Sequence, residues 1–268
     1  MKSSRALLVL LLLCSPPASS QQLPSTPESG GIPVSPSAAE QPLVQDGSAK
    51  PIPGVARLAG TPGQQSVTRN QMLVSAKARS AVEKAARAIA HNDKPEAQRQ
   101  LSRALGGYPK YAVALTLRGI LELNEGRIGA ATADLEEATH ADPAYGLSCL
   151  VLASVYNDAG RSDDALVFLP RAIRLLPSSW QSHFEMARAL NRKKDYPAAL
   201  REVTEALRLT PGSVPPQIRA FVHYLRARIL LQLTDSSGAK QEFEQTLKED
   251  PNGEPGVRSR SLLKSFNH

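Results

Sequence analysis

Five prolines punctuate the second two thirds of this 268-residue chain on a nearly fixed spacing. Pro109, Pro143, Pro177 and Pro211 stand 34 residues apart, and Pro251 follows 40 residues later, one period plus six. Self-similarity at a period of this size marks a solenoid, in which each repeat is one supersecondary unit that buries its apolar face only against its neighbours. Proline lacks the N–H that would carry a helix onward, so the ladder also marks where helices end.

Alignment on those prolines brings out further columns. Twelve residues before each proline stand Ala97, Ala131, Ala165, Ala199 and Ala239. Five before it stand Ala104, Ala138, Ala172, Ala206 and Thr246, and twenty-four before it Ala85, Gly119, Ala153, Ala187 and Ala227. The eighth position before holds larger apolar residues: Leu101, Leu135, Leu169, Val203 and Phe243. Small residues are required where two helices of a hairpin cross closely, and large ones fill the space beside them.

These columns resemble the tetratricopeptide repeat, over units 78–111, 112–145, 146–179, 180–213 and 220–253. The family's tryptophan column holds Ala81, Leu115, Cys149, His183 and His223, and its leucine column Lys84, Arg118, Leu152, Met186 and Arg226. The middle units therefore match best and the terminal ones are degenerate, as end units of a stack often are. The resemblance implies an all-α fold, a right-handed α-solenoid of about five helix-turn-helix units across 70–253. It also implies that the first helix of each unit lines a concave groove that takes a partner peptide. Carried over column by column, the groove residues are Leu117, Ile120 and Asn124; Leu150, Ser154, Asn157 and Asp158; Phe184, Arg188, Asn191 and Arg192; Tyr224 and Arg228. Arg188, Arg192, Lys193, Lys194 and Arg228 make one end basic, which suits an acidic partner. The columns that form the chaperone-tail clamp in some members carry Thr116, Leu150 and Phe184 here, so that clamp is not expected.

Local signals agree with helices. Asp93-Lys94-Pro95-Glu96 is a capping-box arrangement with proline in the first turn, and Asp195-Tyr196-Pro197 repeats that placement. Gly126 and Gly160 fall in the turns between paired helices, and extra residues around Gly212–Pro216 lengthen the loop before the fifth unit. Pro170 lies inside a second helix, where it is expected to leave a carbonyl unpaired and bend the axis. The tail 254–268 is expected to hold a short capping helix near 261–266.

The first quarter has a different character. Lys2 and Arg5 precede the apolar run Ala6–Cys14, and Ala18 and Ser20 offer small side chains before Gln21. That order predicts a secretory signal peptide over 1–20, too short to stay as a membrane span. Cys14 offers a rival fate, lipid attachment, although Leu13 stands where that processing wants a small residue. Residues 21–69 are rich in Pro, Ser, Gly, Ala and Gln with no apolar period, a composition that predicts a flexible tether. The chain is thus expected to be exported to the periplasm or beyond, with a lipid-anchored envelope protein assisting a pilus, secretion or outer-membrane complex as the alternative.

Enzymatic constellations are missing: there is no phosphate loop, no G-x-S-x-G, no H-E-x-x-H and no C-x-x-C. A scaffold for protein–protein interaction without catalysis or cofactor is the expected role. The net charge of +7 is moderate, and few aromatics and no dense basic run argue against nucleic acid. After signal removal Cys149 is the sole cysteine, so no internal disulfide is available, and a buried apolar role is expected for it. Cys149, His183 and His223 share one column and are zinc-type ligands, but packed helices stand about 8–10 Å apart while zinc binds at about 2.0–2.3 Å. Packing, not metal binding, is expected for them. The acidic pairs Glu136-Glu137 and Asp163-Asp164 are expected to be solvated surface.

Overall fold

The computed structural model describes residues 74–266, all of whose regular elements are α-helices. The expected signal peptide 1–20 and linker 21–69 lie outside the described residues. The helices are α1 (Ala76–Ala90), α2 (Lys94–Gly107), α3 (Ala112–Asn124), α4 (Ile128–Ala141), α5 (Gly146–Asp158), α6 (Ser162–Leu175), α7 (Trp180–Arg192), α8 (Tyr196–Leu209), α9 (Pro216–Gln232), α10 (Ser236–Glu249) and α11 (Glu254–Ser265). Consecutive helices pair as five hairpins, and the second helix of each rests on the first helix of the next. First helices also touch along the stack, α3 on α5 and α5 on α7, while α7 and α9 meet least.

The columns explain the packing. Ala97, Ala131, Ala165, Ala199 and Ala239 have no exposed surface, nor do Leu101, Leu135, Leu169, Val203 and Phe243 one turn further on. Each alanine lets the two helices of its hairpin approach, and each large residue fills the gap so produced. At Gly119 the approach is closer still, since a Cβ there would stand 3.0 Å from Leu135 Cγ. Second helices end two residues before each ladder proline.

The turn inside every hairpin is built the same way. Asn92, Gly126, Gly160, Lys194 and Thr234, each seventeen residues before its proline, all have positive φ, between 56° and 80°. The next residue's N–H then closes back on the preceding helix, as Asp93 to Ala88, Arg127 to Glu122, Arg161 to Tyr156, Asp195 to Leu190 and Asp235 to Leu230, at 2.8–3.0 Å. This is a left-handed helix end that satisfies otherwise orphaned carbonyls. Asp93, Asp195 and Asp235 then cap the following helix through their side chains. A β-branched residue is strained at such a φ. Thr234→Gly is therefore expected to stabilise the fifth hairpin by about 1 kcal/mol, with Gly126→Ala costing a similar amount. Thermal melts of both variants check the pair, and a melting point lowered by Thr234→Gly would contradict this account.

Pro170 stands inside α6 on its exposed side without ending the helix. The six extra residues before the fifth unit are taken up partly by α9, which is 17 residues long where α3, α5 and α7 have 13. Arg219 ties this region down, donating to the carbonyls of Gly212 and Val214 and pairing with Glu249 at 2.5 Å. The tail differs from expectation: α11 begins at Glu254, seven residues earlier than the fragment foreseen near 261. Asp250 accepts the Gly253 N–H, and Pro255 sits in the first turn, so the start is well made despite few apolar residues. No described helix is long and apolar enough to cross a membrane.

Candidate partner-binding site

First helices α3, α5, α7 and α9 lie side by side, and their residues divide into two groups. Leu117, Ile120 and Leu150 belong to the core of the first three hairpins, and Phe184 to that of the fourth and fifth. All four are 4% exposed or less, and Asn157 is fully buried. For these five the expectation of groove-lining side chains is corrected: the apolar ones join the core. Asn157 is consumed by a polar network. Ser154, also carried over as a groove residue, is buried in the same network. Asn124, Arg192 and Arg228 are exposed, and Asn191 and Tyr224 are half-buried.

The network occupies the α5–α7 seam. Glu185, 2% exposed, accepts from Ser154 Oγ at 2.9 Å, from Asn157 Nδ2 at 2.7 Å and from Arg188 at 2.8 Å. Arg188 reaches across to Asp158 Oδ1 at 2.5 Å and lies 6.0 Å from the centre of the Phe184 ring. Burial opposes the Arg188 cation, but the Glu185 and Asp158 carboxylates outweigh it and hold the guanidinium above its ordinary range. Burial pushes the Asp158 carboxyl up, with Arg188 pulling the other way and Glu185 adding to the rise. Arg188 is thus committed within the chain. The expectation that its fork is free for a partner's carboxylate is corrected.

Beyond that seam the positive charge is less compensated. Lys193 pairs with Asp163 at 2.7 Å. Arg192 donates to the Asn157 carbonyl, and Arg228 lies 6.0 Å from the Tyr224 ring centre. Among the described residues neither Arg192 nor Arg228 has a carboxylate within ion-pair distance. Burial, then Arg188, lowers the Arg192 cation's range, the Asp158 and Glu185 carboxylates pull the other way, and Arg228 adds a smaller lowering.

Polar ties inside the hairpins account for the family's missing tryptophans and leucines. Arg118 grips Asp134 at 2.5 and 2.6 Å, linking α3 to α4. His183 Nδ1 meets Glu202 at 2.8 Å, and His223 Nδ1 meets Glu242 at 2.7 Å, with Arg226 also on Glu242. In the third hairpin the equivalent positions are apolar, Cys149, Leu152 and Phe168. The cysteine–histidine column is therefore not gathered into one site, and among the described residues no group of three or more His, Cys, Asp or Glu is placed to hold a metal. Glu136 and Glu137 are exposed, and Glu136 also accepts the Tyr156 hydroxyl at 2.6 Å. Burial and that carboxylate push the Tyr156 phenol up to about 12.

Burial likewise pushes the fully buried Cys149 thiol above its ordinary value, leaving less thiolate at any given pH. Iodoacetamide at pH 8 is expected to leave Cys149 unmodified in the folded chain and to label it after denaturation. Peptide mapping reads the outcome, and rapid labelling of Cys149 in the native state would refute its placement.

Residues 150–214, the third and fourth hairpins, match the tetratricopeptide repeat family. No curated protein sequence matches the chain. Among solved structures, PilF of Pseudomonas aeruginosa superposes with a TM-score of 0.60 at 17% identity, covering 69% of this chain and 82% of PilF. YrrB, described as a tetratricopeptide protein with an unusual peptide-binding site, gives a TM-score of 0.55 at 16% identity, covering 74% of this chain and 100% of YrrB. MamA of Desulfovibrio magneticus RS-1 gives 0.54 at 15% identity, covering 68% of this chain and 99% of MamA. At such identities the likenesses speak for the fold alone. Residues 150–214 thus carry the tetratricopeptide repeat, and the structural likenesses extend the same helical-hairpin solenoid fold along the rest of the stack.

Proposed function

We propose that this chain is an exported scaffold that holds a segment of a partner protein, without catalysis of its own, on the exposed C-terminal part of its first-helix face. The observation that carries this reading is the side-by-side array of first helices, whose exposed Arg192 and Arg228 and half-buried Asn191 and Tyr224 fall on neighbouring hairpins. A row of helices repeating one orientation presents an extended surface, which is how solenoids recognise partners. The peptide-binding site named for YrrB supports a peptide as the kind of ligand. Export rests on the N-terminal sequence alone, with lipidation at Cys14 as the second reading.

Photo-crosslinking in cells tests the scaffold role, with a probe at Asn191 and a control probe at Val167, which is 68% exposed on α6. Capture of one protein at Asn191 and not at Val167 is the expected result. Capture from Val167 alone would move the partner to the outer helices and overturn the assignment. Mass spectrometry of the same cells reads the mature N-terminus, with a start at Gln21 expected and an acylated Cys14 favouring the anchored alternative.

A further inference from the structure

The repeat register turns the Arg188 network into a template for its neighbour. Arg188 and Arg228 occupy the same column, each twenty-three residues before its ladder proline. Arg188 is neutralised from two places: Glu185, three residues earlier on its own helix, and Asp158, the residue nineteen before the proline of the preceding unit. The corresponding places for Arg228 hold Leu225 and Arg192. Where Arg188 meets two carboxylates, Arg228 is given an apolar residue and a second arginine.

The arginines of the later first helices that are at least two thirds buried all have acids. Arg188, Arg219 and Arg226, with side chains 21–32% exposed, pair with Glu185 and Asp158, with Glu249, and with Glu242. Arg192 and Arg228 are exposed and have no acid within ion-pair distance; Asp158 and Glu185 act on Arg192 from further off, and Arg228 adds a like charge. Two exposed guanidinium groups on neighbouring helices, neither in an ion pair, favour a carboxylate, which a fork of donors can grip in paired hydrogen bonds. The α7–α9 seam is also where first helices meet least.

We infer that the seam between the fourth and fifth hairpins is an anion-binding position where a glutamate or aspartate of the partner segment sits between Arg192 and Arg228, supplying the charge that Asp158 and Glu185 supply one repeat earlier. The inference rests on the scaffold reading and names the partner's chemistry at that site. Tyr224, half-buried beneath Arg228, offers an aromatic face for an apolar neighbour of the bound acid.

Fluorescence anisotropy on the full chain tests it, using a labelled peptide that alternates glutamate with leucine and the same peptide with glutamine in place of glutamate. The acidic peptide is expected to bind at least about tenfold tighter at low salt, and the difference to shrink as salt screens it. Arg228→Gln is expected to abolish the preference. Arg192→Asp, which installs the Asp158 arrangement, is expected to abolish it too and to raise the melting point. Arg208→Gln, on the outer face and paired with Glu205, should keep the preference. Equal binding of the two peptides to the native chain, or a preference surviving in both Arg192→Asp and Arg228→Gln, would overturn the inference. Crosslinking at Asn191 separates the two claims: a captured partner with no acidic preference leaves the scaffold standing and removes the carboxylate anchor.

Discussion

Glu185→Ala is expected to destabilise the chain by about 3–5 kcal/mol, the loss typical when one member of a buried ion pair is removed. The carboxylate is 2% exposed and gathers donors from Ser154, Asn157 and Arg188. Its deletion leaves a guanidinium with only Asp158 for company and the Ser154 hydroxyl without its acceptor, while the Asn157 amide keeps only the Glu185 backbone carbonyl at 2.9 Å. In a folded region of this size that loss lowers the melting point by roughly 10 °C. Replacing both partners, as in Glu185→Leu with Arg188→Met, removes the stranded charge and is expected to recover most of the stability. A loss under about 1 kcal/mol in the single variant, or a double variant worse than the single, would show that the network contributes little.

How far the sequence announced this structure depends on whether a feature repeats. The ladder prolines, the buried alanines at 97, 131, 165, 199 and 239 and the large residues beside them recur on one period, so the helical hairpins and their core were legible at once. The left-handed turn position was only half legible. Glycine announces it at 126 and 160, but Asn92, Lys194 and Thr234 fill it elsewhere, and only the column itself would have exposed them. The partner face was the least legible. A column fixes which helix face a residue occupies, not whether neighbouring apolar residues close over it, and so Leu117, Ile120, Leu150 and Phe184 joined the core. The partners of Arg188 are not legible locally, since they lie three residues back and thirty residues away in the preceding unit. Such pairs follow the repeat register rather than any local motif. Read along that register, the same chain shows Asp134, Glu202 and Glu242 facing Arg118, His183 and His223.

Phe243→Ala is expected to cost about 3–5 kcal/mol, and to do so mainly at one end of the stack. Phe243 is fully buried in α10 and meets Tyr224 of α9 at 6.0 Å and Phe266, after α11, at 6.3 Å between ring centres. Ala227, Leu230 and Ala239 complete its core, with Leu262 and Leu263 of α11 packed against them. This cluster therefore holds the last hairpin together and also fastens the capping helix on it. Truncating the ring removes contacts to both at once and opens a cavity that α11, short and largely polar, cannot collapse to fill. Because each repeat contacts only its neighbours, the damage is expected to stay local. Hydrogen exchange should show α9–α11 losing protection by about two orders of magnitude or more, with α1–α6 unchanged. Phe266→Ala, at a partly buried position, should release α11 while leaving most of the α9–α10 protection in place. The two substitutions are expected to be less than additive, since the smaller loss is contained in the larger. Protection falling evenly from α1 to α11 would mean that the stack unfolds as one unit, and the last aromatic cluster would then be part of a global core rather than the fastening of its cap.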